Sequence, residues 1–570
     1  MERRYQLVVV LFAAIVYLGC IANPPGLMDD VDAVQAQIAR NMLESGDWVT
    51  ARLNGVAYLE KSPLIYWSMA VSYMIFGVND WAARIPLALG VIALCWVTAR
   101  FARWAYGERE GLFAGIILST CIGLWLFTRI QIPDAILTLT ITIAMWKFLQ
   151  LMETGKARHA YVAAAAMGAG LLLKGLIAML FPVASIVLWL TFTKRWSEWR
   201  TLRPVASIAI ILLVAAPWHI IATLRNPPFF DFTMKSEPGH YHGFFWFYFF
   251  NEHIFRFLNM RWPRDYNTVP RHLFWLFHLL WLFPWSFFLP AVKDTRANAT
   301  RLLALCWTGF LLTFFTFSTT QEYYSMPCYP ALALLLAPAI TSGSKWIPRG
   351  AKAAGVVAAL AAITIAAILL RVWNLPAPGD ISRALTQNPD AYTLSLGHMG
   401  DLTIDSFSYL KTPLVMAGVA FLIGAVAGFR NQLIGLALMM VLFLHAARTA
   451  LVTFDPYLGS RPLAEALPKD ARLIADNQYY TFSSIFFYAN PKGVLLLNGR
   501  VNNLEYGSYA PGAPDVFIDD ARFAALWASS TRYYLAVEGP SMKRFESLAG
   551  KDKLHIVKES GGKFLLTNLP

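Results

Sequence analysis

The sequence predicts a polytopic α-helical membrane protein with about 13 transmembrane helices, followed by a small carboxyl-terminal α/β domain. Three observations predict it. Hydrophobic residues make up 57% of the 570 and charged residues only 15%, which is too apolar for a soluble globule. Apolar runs of spanning length, roughly 17–25 residues, recur between residues 5 and 451. From about Asp455 the pattern changes to short apolar runs alternating with helix-like stretches.

The runs lie at about 5–24, 80–99, 110–127, 134–152, 159–174, 176–193, 204–222, 272–292, 302–318, 328–342, 352–371, 412–429 and 433–451. Successive connections alternate sides in this scheme, and their basic residues concentrate on one. Arg100, Arg103, Lys156, Arg158, Lys194, Arg200, Arg203, Lys293, Arg296, Lys345, Arg349 and Arg430 all fall on one face, which the positive-inside rule assigns to the cytoplasm. The loops 25–79, 223–271 and 372–411 and the carboxyl-terminal tail then lie on the other face. The first run is a retained helix rather than a cleaved signal, since many spans follow it. Five cysteines sit in or beside spans with no metal spacing and read as small apolar packing residues. We therefore divide the chain into a transmembrane unit at 1–452 and an outer α/β domain at 453–570, where Arg472–Ala475, Val494–Leu497, Pro514–Ile518, Tyr533–Val537 and Phe564–Thr567 are the candidate strands.

The first outer loop carries Asp29, Asp30 and Asp32 at a membrane boundary and Glu60-Lys61 further on. Ionisable side chains beside a bilayer are costly unless a reaction or ion needs them, so this cluster is a functional hypothesis. Ala33, Ile38, Met42 and Leu43 fall at helical spacing, which predicts an amphipathic helix along the interface. The net charge of +13 is partly the topology signal and partly suited to anionic lipids. No nucleic-acid motif is present.

The motifs Ala36-Gln-Ile-Ala-Arg-Asn-Met-Leu-Glu-Ser-Gly-Asp-Trp48, Arg52-Leu-Asn-Gly-Val-Ala-Tyr-Leu-Glu-Lys61 and Ser62-Pro-Leu-Ile-Tyr-Trp67 resemble the aminoarabinose transferase branch of the membrane glycosyltransferases with the GT-C fold. That branch is similar to protein O-mannosyltransferases in its first loop. The likeness extends to Arg129-Ile-Gln-Ile-Pro-Asp134, Leu173-Lys174-Gly175, Glu252-His-Ile-Phe-Arg256-Phe and Tyr324-Ser-Met-Pro327. It implies an enzyme of the bacterial inner membrane with its active site on the periplasmic side. Such an enzyme moves 4-amino-4-deoxy-L-arabinose from undecaprenyl phosphate to lipid A phosphates, which confers polymyxin resistance.

The residue chemistry accommodates that reaction. A leaving polyprenyl phosphate needs cations where charge develops, and Lys61, Arg129, Lys174 and Arg256 are the candidates, with Tyr58, Tyr323 and Tyr324 as further substrate contacts. A carboxylate would orient the nucleophile or pair with the sugar amine; Asp29, Asp30, Asp32 and Asp134 are the candidates, Asp30 or Asp32 the central one. Glu60, His240 and His242 are offered as a divalent-metal set, zinc being the usual match for such ligands. A protein-directed transferase and a lipid or sugar transporter are the alternatives, the latter lacking the expected repeated halves.

Overall fold

The computed structural model describes residues 2–264, 268–318, 320–386 and 395–570, with side chains from Tyr5 onward. Helix α1 (Glu2–Tyr17) leads into two helices of the first outer loop, α2 (Val31–Ser45) and α3 (Leu64–Phe76). Then follow α4 (Asp80–Tyr106), α5 (Glu108–Thr120), α6 (Ile122–Phe127), α7 (Asp134–Thr154), α8 (Ala157–Lys174), α9 (Ile177–Thr193) and α10 (Pro204–Arg225). The remaining long helices are Ala299–Phe317, Tyr329–Thr341, Trp346–Val372, Lys411–Phe429 and Leu433–Leu458.

Every apolar run read from the sequence falls on a helix or a broken helix, but they are not equivalent. Among the described residues, eight helices are long and apolar enough to cross a bilayer alone, and nine if Arg271–Trp281 and Trp285–Asp294, bent by 93°, form one span. The others fall short for visible reasons. The run 110–127 breaks where Cys121 is extended (ψ 143°) between α5 and α6, α1 and α9 are short, and α8 carries Arg158 and Lys174 near its ends.

The basic connections gather at one end of the bundle. Thr341 donates to Glu110 at 2.6 Å, Arg195 to the Met152 carbonyl at 3.2 Å and Ser344 to Asp294 at 2.5 Å. The first loop, the 223–264 segment and the carboxyl-terminal unit meet at the other end, as the contacts Arg225–Asp47 at 2.9 Å and Asn54 to Val494 at 2.7 Å record. Helix α2 corrects one expectation. Its apolar face does not meet lipid: Ala33 to Ala39 are buried, and it packs against α3 and the helix Ser483–Ala489. Its apolar positions serve a protein core, which a helical period alone cannot distinguish from a membrane-facing stripe.

The carboxyl-terminal unit also starts later than read. Helix Leu433–Leu458 runs through the predicted boundary at 452, so the α/β unit begins at about residue 459. Short β1 (Arg52–Leu53) and β2 (Val56–Ala57) form a hairpin in the first loop. The unit itself holds β3 (Leu473–Asp476), β4 (Leu495–Leu497), β5 (Phe517–Ile518), β6 (Tyr534–Glu538), β7 (His555–Ser560) and β8 (Lys563–Thr567), in the order β5-β4-β3-β6-β8-β7. β3 to β6 pair in parallel, while β8 runs antiparallel to β6 and β7. The sequence reading missed β7, an edge strand whose residues Ile556 to Glu559 are exposed and so lack an apolar run.

Candidate active site

A cavity of about 1650 Å³ opens between the helix bundle and the carboxyl-terminal unit. Asp29, Asp30, Asp32, Tyr58, Glu60, Lys61, Arg129, Asp134, Lys174, Arg256, Tyr323 and Tyr324 all line it. Twelve residues spread over the first 324 positions thus converge in one chamber.

The three acids of the first loop occupy different positions within it. Asp29 accepts from the Ser484 backbone and hydroxyl at 2.8 Å each, from Ser460 at 2.5 Å and from Lys563 at 2.6 Å. It is a clasp onto the carboxyl-terminal unit. Asp32 sits in the first turn of α2, 1% exposed, and accepts from Arg84 at 3.2 Å, Met28 N–H at 3.2 Å and Gln131 N–H at 3.1 Å. Burial pushes its carboxyl up, against the pull of Arg84. Between them Asp30 is exposed and precedes α2 with φ 75°, ψ −145°. Its backbone is held there by Asp30 N–H to Tyr480 at 2.9 Å and by Ser483 on its carbonyl at 3.1 Å. A non-glycine residue fixed in this sparsely populated region costs energy and persists where surroundings over-determine it. The strained residue is the exposed one of the three acids, and it lines the chamber.

Opposite lies a ring of alternating charge. Lys174 donates to Asp134 at 2.5 Å and lies 5.1 and 4.6 Å from the Tyr323 and Tyr324 ring centres. Arg256 reaches Glu252 at 2.8 Å and the Tyr324 hydroxyl at 3.0 Å. Arg261, wholly buried, reaches Glu60 at 2.9 Å and also binds Glu252. Glu60 in turn accepts from Tyr58 at 3.1 Å and lies 3.8 Å from Lys61. Burial would raise the Glu252 carboxyl, but Arg261, Arg256 and Lys61 outweigh it and hold it down to about 2. Arg129, against the Trp125 ring at 5.5 Å, has buried Nε and Nη1 without partners, and desolvation lowers it to about 10. With Lys61, Lys174 and Arg256 it puts four cations on the wall beside the carboxylates Glu60, Glu252 and Asp134. Those cations are the groups on the wall able to hold a phosphate group.

Local sequence explains how Lys174 gets there. Helix α8 ends at Lys174 because Gly175 caps it at φ 68°, where an added Cβ would lie 2.2 Å from His253 Nε2. Leu176 N–H donates to that same nitrogen at 3.1 Å, which locks the turn onto the outer loop. That loop presents Glu252 from a π-helix at Trp246–Phe255, a rare geometry often found at functional sites, with Arg256 immediately after it.

The proposed metal set is not assembled. Glu60 is engaged by Arg261, Asn503 and Tyr58, while His242 pairs with Asp231 at 2.6 Å and its ring stacks on that of His240 at 6.3 Å. Among the described residues no group of three His, Cys, Asp or Glu side chains is placed to hold a metal ion. The guanidinium of Arg261 stands where the reading put a cation. The sequence reading also missed Arg84, Glu252, Tyr480, Asn503 and Lys563 as neighbours of the chamber. Only Glu252 left a signal, its i, i+4 spacing to Arg256.

Fold and chamber together describe a polytopic helical membrane protein with a charged cavity facing its carboxyl-terminal α/β unit. Comparisons with known proteins bear on this directly. Residues 60–221 match the family model described as dolichyl-phosphate-mannose-protein mannosyltransferase. The chain is 28% identical over 452 residues to an undecaprenyl phosphate-alpha-4-amino-4-deoxy-L-arabinose arabinosyl transferase of Erwinia tasmaniensis, covering 74% of this chain and 76% of that one. It is 31% identical over 317 residues to the protein of the same name from Aeromonas salmonicida, covering 53% and 54%. The crystal structure of ArnT from Cupriavidus metallidurans bound to undecaprenyl phosphate superposes with a TM-score of 0.77 at 21% identity, over 100% of this chain and 99% of that one.

Proposed function

We propose that this protein transfers 4-amino-4-deoxy-L-arabinose from undecaprenyl phosphate to phosphate groups of lipid A, lowering the negative charge that polymyxins recognise. One observation carries the reading. Lys61, Lys174 and Arg256 line the same cavity as the apolar side chains of Ile177, Leu180, Phe181, Phe257 and Phe314. A phosphate head on a long isoprenoid tail needs that pairing of surfaces. The names of the relatives supply the sugar and the carrier, and the ArnT crystal structure bound to undecaprenyl phosphate supports the same carrier.

An acceptor phosphate oxygen attacks the anomeric carbon of the sugar. The bond from that carbon to the polyprenyl phosphate oxygen breaks, and the oxygen keeps the electron pair. Negative charge grows on the leaving phosphate beside Lys61, Lys174 and Arg256, which lowers the barrier by fixed electrostatics. The acceptor is already ionised at neutral pH, so Asp30 serves to hold the sugar amine or take a residual proton. Asp134 fixes Lys174, and Tyr324 orients Arg256. Arg129, Tyr58 and Tyr323 complete the polar wall. The basic connections gather at one end of the bundle and the chamber at the other, which supports a chamber and carboxyl-terminal unit on the periplasmic face of the inner membrane.

The test is mass spectrometry of lipid A from cells with and without this chain. We expect an added aminopentose only when the chain is present. Unchanged lipid A beside newly glycosylated periplasmic protein would replace this reading with a protein acceptor, the reading favoured by the mannosyltransferase model matched at 60–221. Transport with no glycosyl transfer would overturn both.

A further inference from the structure

Glu60-Lys61 belongs to the first outer loop, whereas Glu252 and Arg256 belong to the helix of the long outer loop. Nearly two hundred residues separate them, yet the two halves of the cationic wall keep a fixed spacing. The guanidinium of Arg261 joins them. Its Nη2 donates to Glu60 at 2.9 Å, its Nε donates to Glu252, and its Nη1 donates to the Pro263 carbonyl at 2.5 Å. The side chain is 0% exposed and does not line the chamber, so it touches no substrate. The two carboxylates it holds carry the cations that do: Glu60 lies 3.8 Å from Lys61, and Glu252 2.8 Å from Arg256. Asn251, fully buried, fixes the adjoining backbone by binding both the N–H of Trp262 at 3.2 Å and its carbonyl at 2.6 Å. Asn503 of the carboxyl-terminal unit closes the set on Glu60 at 2.7 Å.

We propose that Arg261 is a positioning residue: an internal cation that bridges Glu60 and Glu252 and so sets the separation of Lys61 and Arg256 for a polyprenyl phosphate. The role needs a planar donor fork, because one lysine ammonium cannot span both carboxylates in fixed geometry. It also explains why the anticipated divalent ion has no ligand set here, since the guanidinium takes the bridging role that a cation between two carboxylates would fill. The inference rests on the polyprenyl-phosphate part of the proposed function and is independent of which sugar or acceptor is used.

The experiment uses the purified full-length protein and undecaprenyl phosphate itself as the binding probe, alongside transfer kinetics. Arg261→Lys keeps the charge and loses the bridge. We expect its affinity for undecaprenyl phosphate and its donor KM to worsen about tenfold to a hundredfold, with kcat within about threefold of wild type. Arg261→Ala leaves two buried carboxylates facing each other. We expect millimolar guanidinium or Mn²⁺ to restore its binding while leaving the wild type unchanged. Arg261→Lys with wild-type affinity and KM would overturn the proposal, as would a folded Arg261→Ala that neither ion improves. Should wild type bind undecaprenyl phosphate tightly yet transfer no aminopentose, the sugar assignment fails and the binding arm still judges Arg261.

Discussion

The two walls of the chamber were built in opposite ways. On one side Asp29, Asp30 and Asp32 are neighbours in sequence, yet the fold uses them for three different purposes. On the other, Lys61, Lys174 and Arg256 are scattered over some two hundred positions and line one volume. Clustered charge in a sequence therefore marks a place without marking a role. A role follows from surroundings: Asp29 is held by Ser460, Ser484 and Lys563 and Asp32 by Arg84, while Asp30 is the exposed acid of the three, on a strained backbone at the chamber.

The sharpest way to break this contrast is to neutralise the acids one at a time. Asp30→Asn removes the charge from the chamber without touching the backbone bonds to Tyr480 and Ser483. We expect transfer to fall by about 10²–10⁴-fold with an unchanged melting temperature. Full activity in this variant would return the central role to Asp32. Asp32→Asn is expected to fail differently. It leaves the Arg84 guanidinium buried and without its carboxylate, a loss of about 3–5 kcal/mol, seen as a lowered melting temperature in detergent and reduced abundance. A stable Asp32→Asn protein that is inactive would reverse the assignment of the two acids.

The opposite wall should respond through binding rather than folding. Lys174→Met leaves Asp134 without its partner and removes the ammonium over Tyr323 and Tyr324. We expect the donor KM to rise about tenfold or more, measured with a soluble short-chain polyprenyl donor. A change in kcat alone would place Lys174 at the acceptor instead. Asp29→Asn carries a smaller effect, about 1–3 kcal/mol, because Ser460 and Ser484 still hold the joint. Limited proteolysis should then release the unit beyond residue 459 faster than in wild type.

How much of this was readable beforehand follows from the same contrast. The long helices announced themselves because burial in lipid demands uninterrupted apolar runs, and the strands β3, β4, β6 and β8 because a covered sheet does too. The chamber was legible through motifs: Lys61, Asp134, Lys174 and Arg256 each stand in a stretch that resembles a known family. Partners were not legible. That Arg84 answers Asp32, that Lys563 answers Asp29 and that Arg261 sits between two glutamates are facts of three-dimensional approach, with no spacing rule to reveal them. The metal set failed for that reason: Glu60, His240 and His242 have suitable chemistry, and only the fold could show that Arg261 and Asp231 had already claimed Glu60 and His242.

The mildest test compares two adjacent residues of the outer loop, Glu252 and His253, whose surroundings act on them with opposite results. The Glu252 carboxyl is held at about 2 in the fold, against about 4.3 in an unfolded chain. Its stabilisation is therefore fully present above about pH 4.3 and is lost only as pH falls towards the folded value. Burial is the main influence on His253 and lowers it from 6.5. The hydrogen bonds give the reason: Leu176 N–H donates to Nε2, so the neutral ring must carry its proton on Nδ1 and donate it to the Tyr248 carbonyl at 2.6 Å. A second proton would destroy the acceptor that locks the turn at Gly175. The unfolded chain takes up that proton more readily, so stability must fall as pH drops below about 6.5. Melting curves of the wild type should accordingly slide down between pH 7 and pH 5 and drop again below about pH 4.3. His253→Gln should start lower at neutral pH and lose the first slope while keeping the second. A variant that retains the first slope would show that another histidine, such as His219 or His278, governs it.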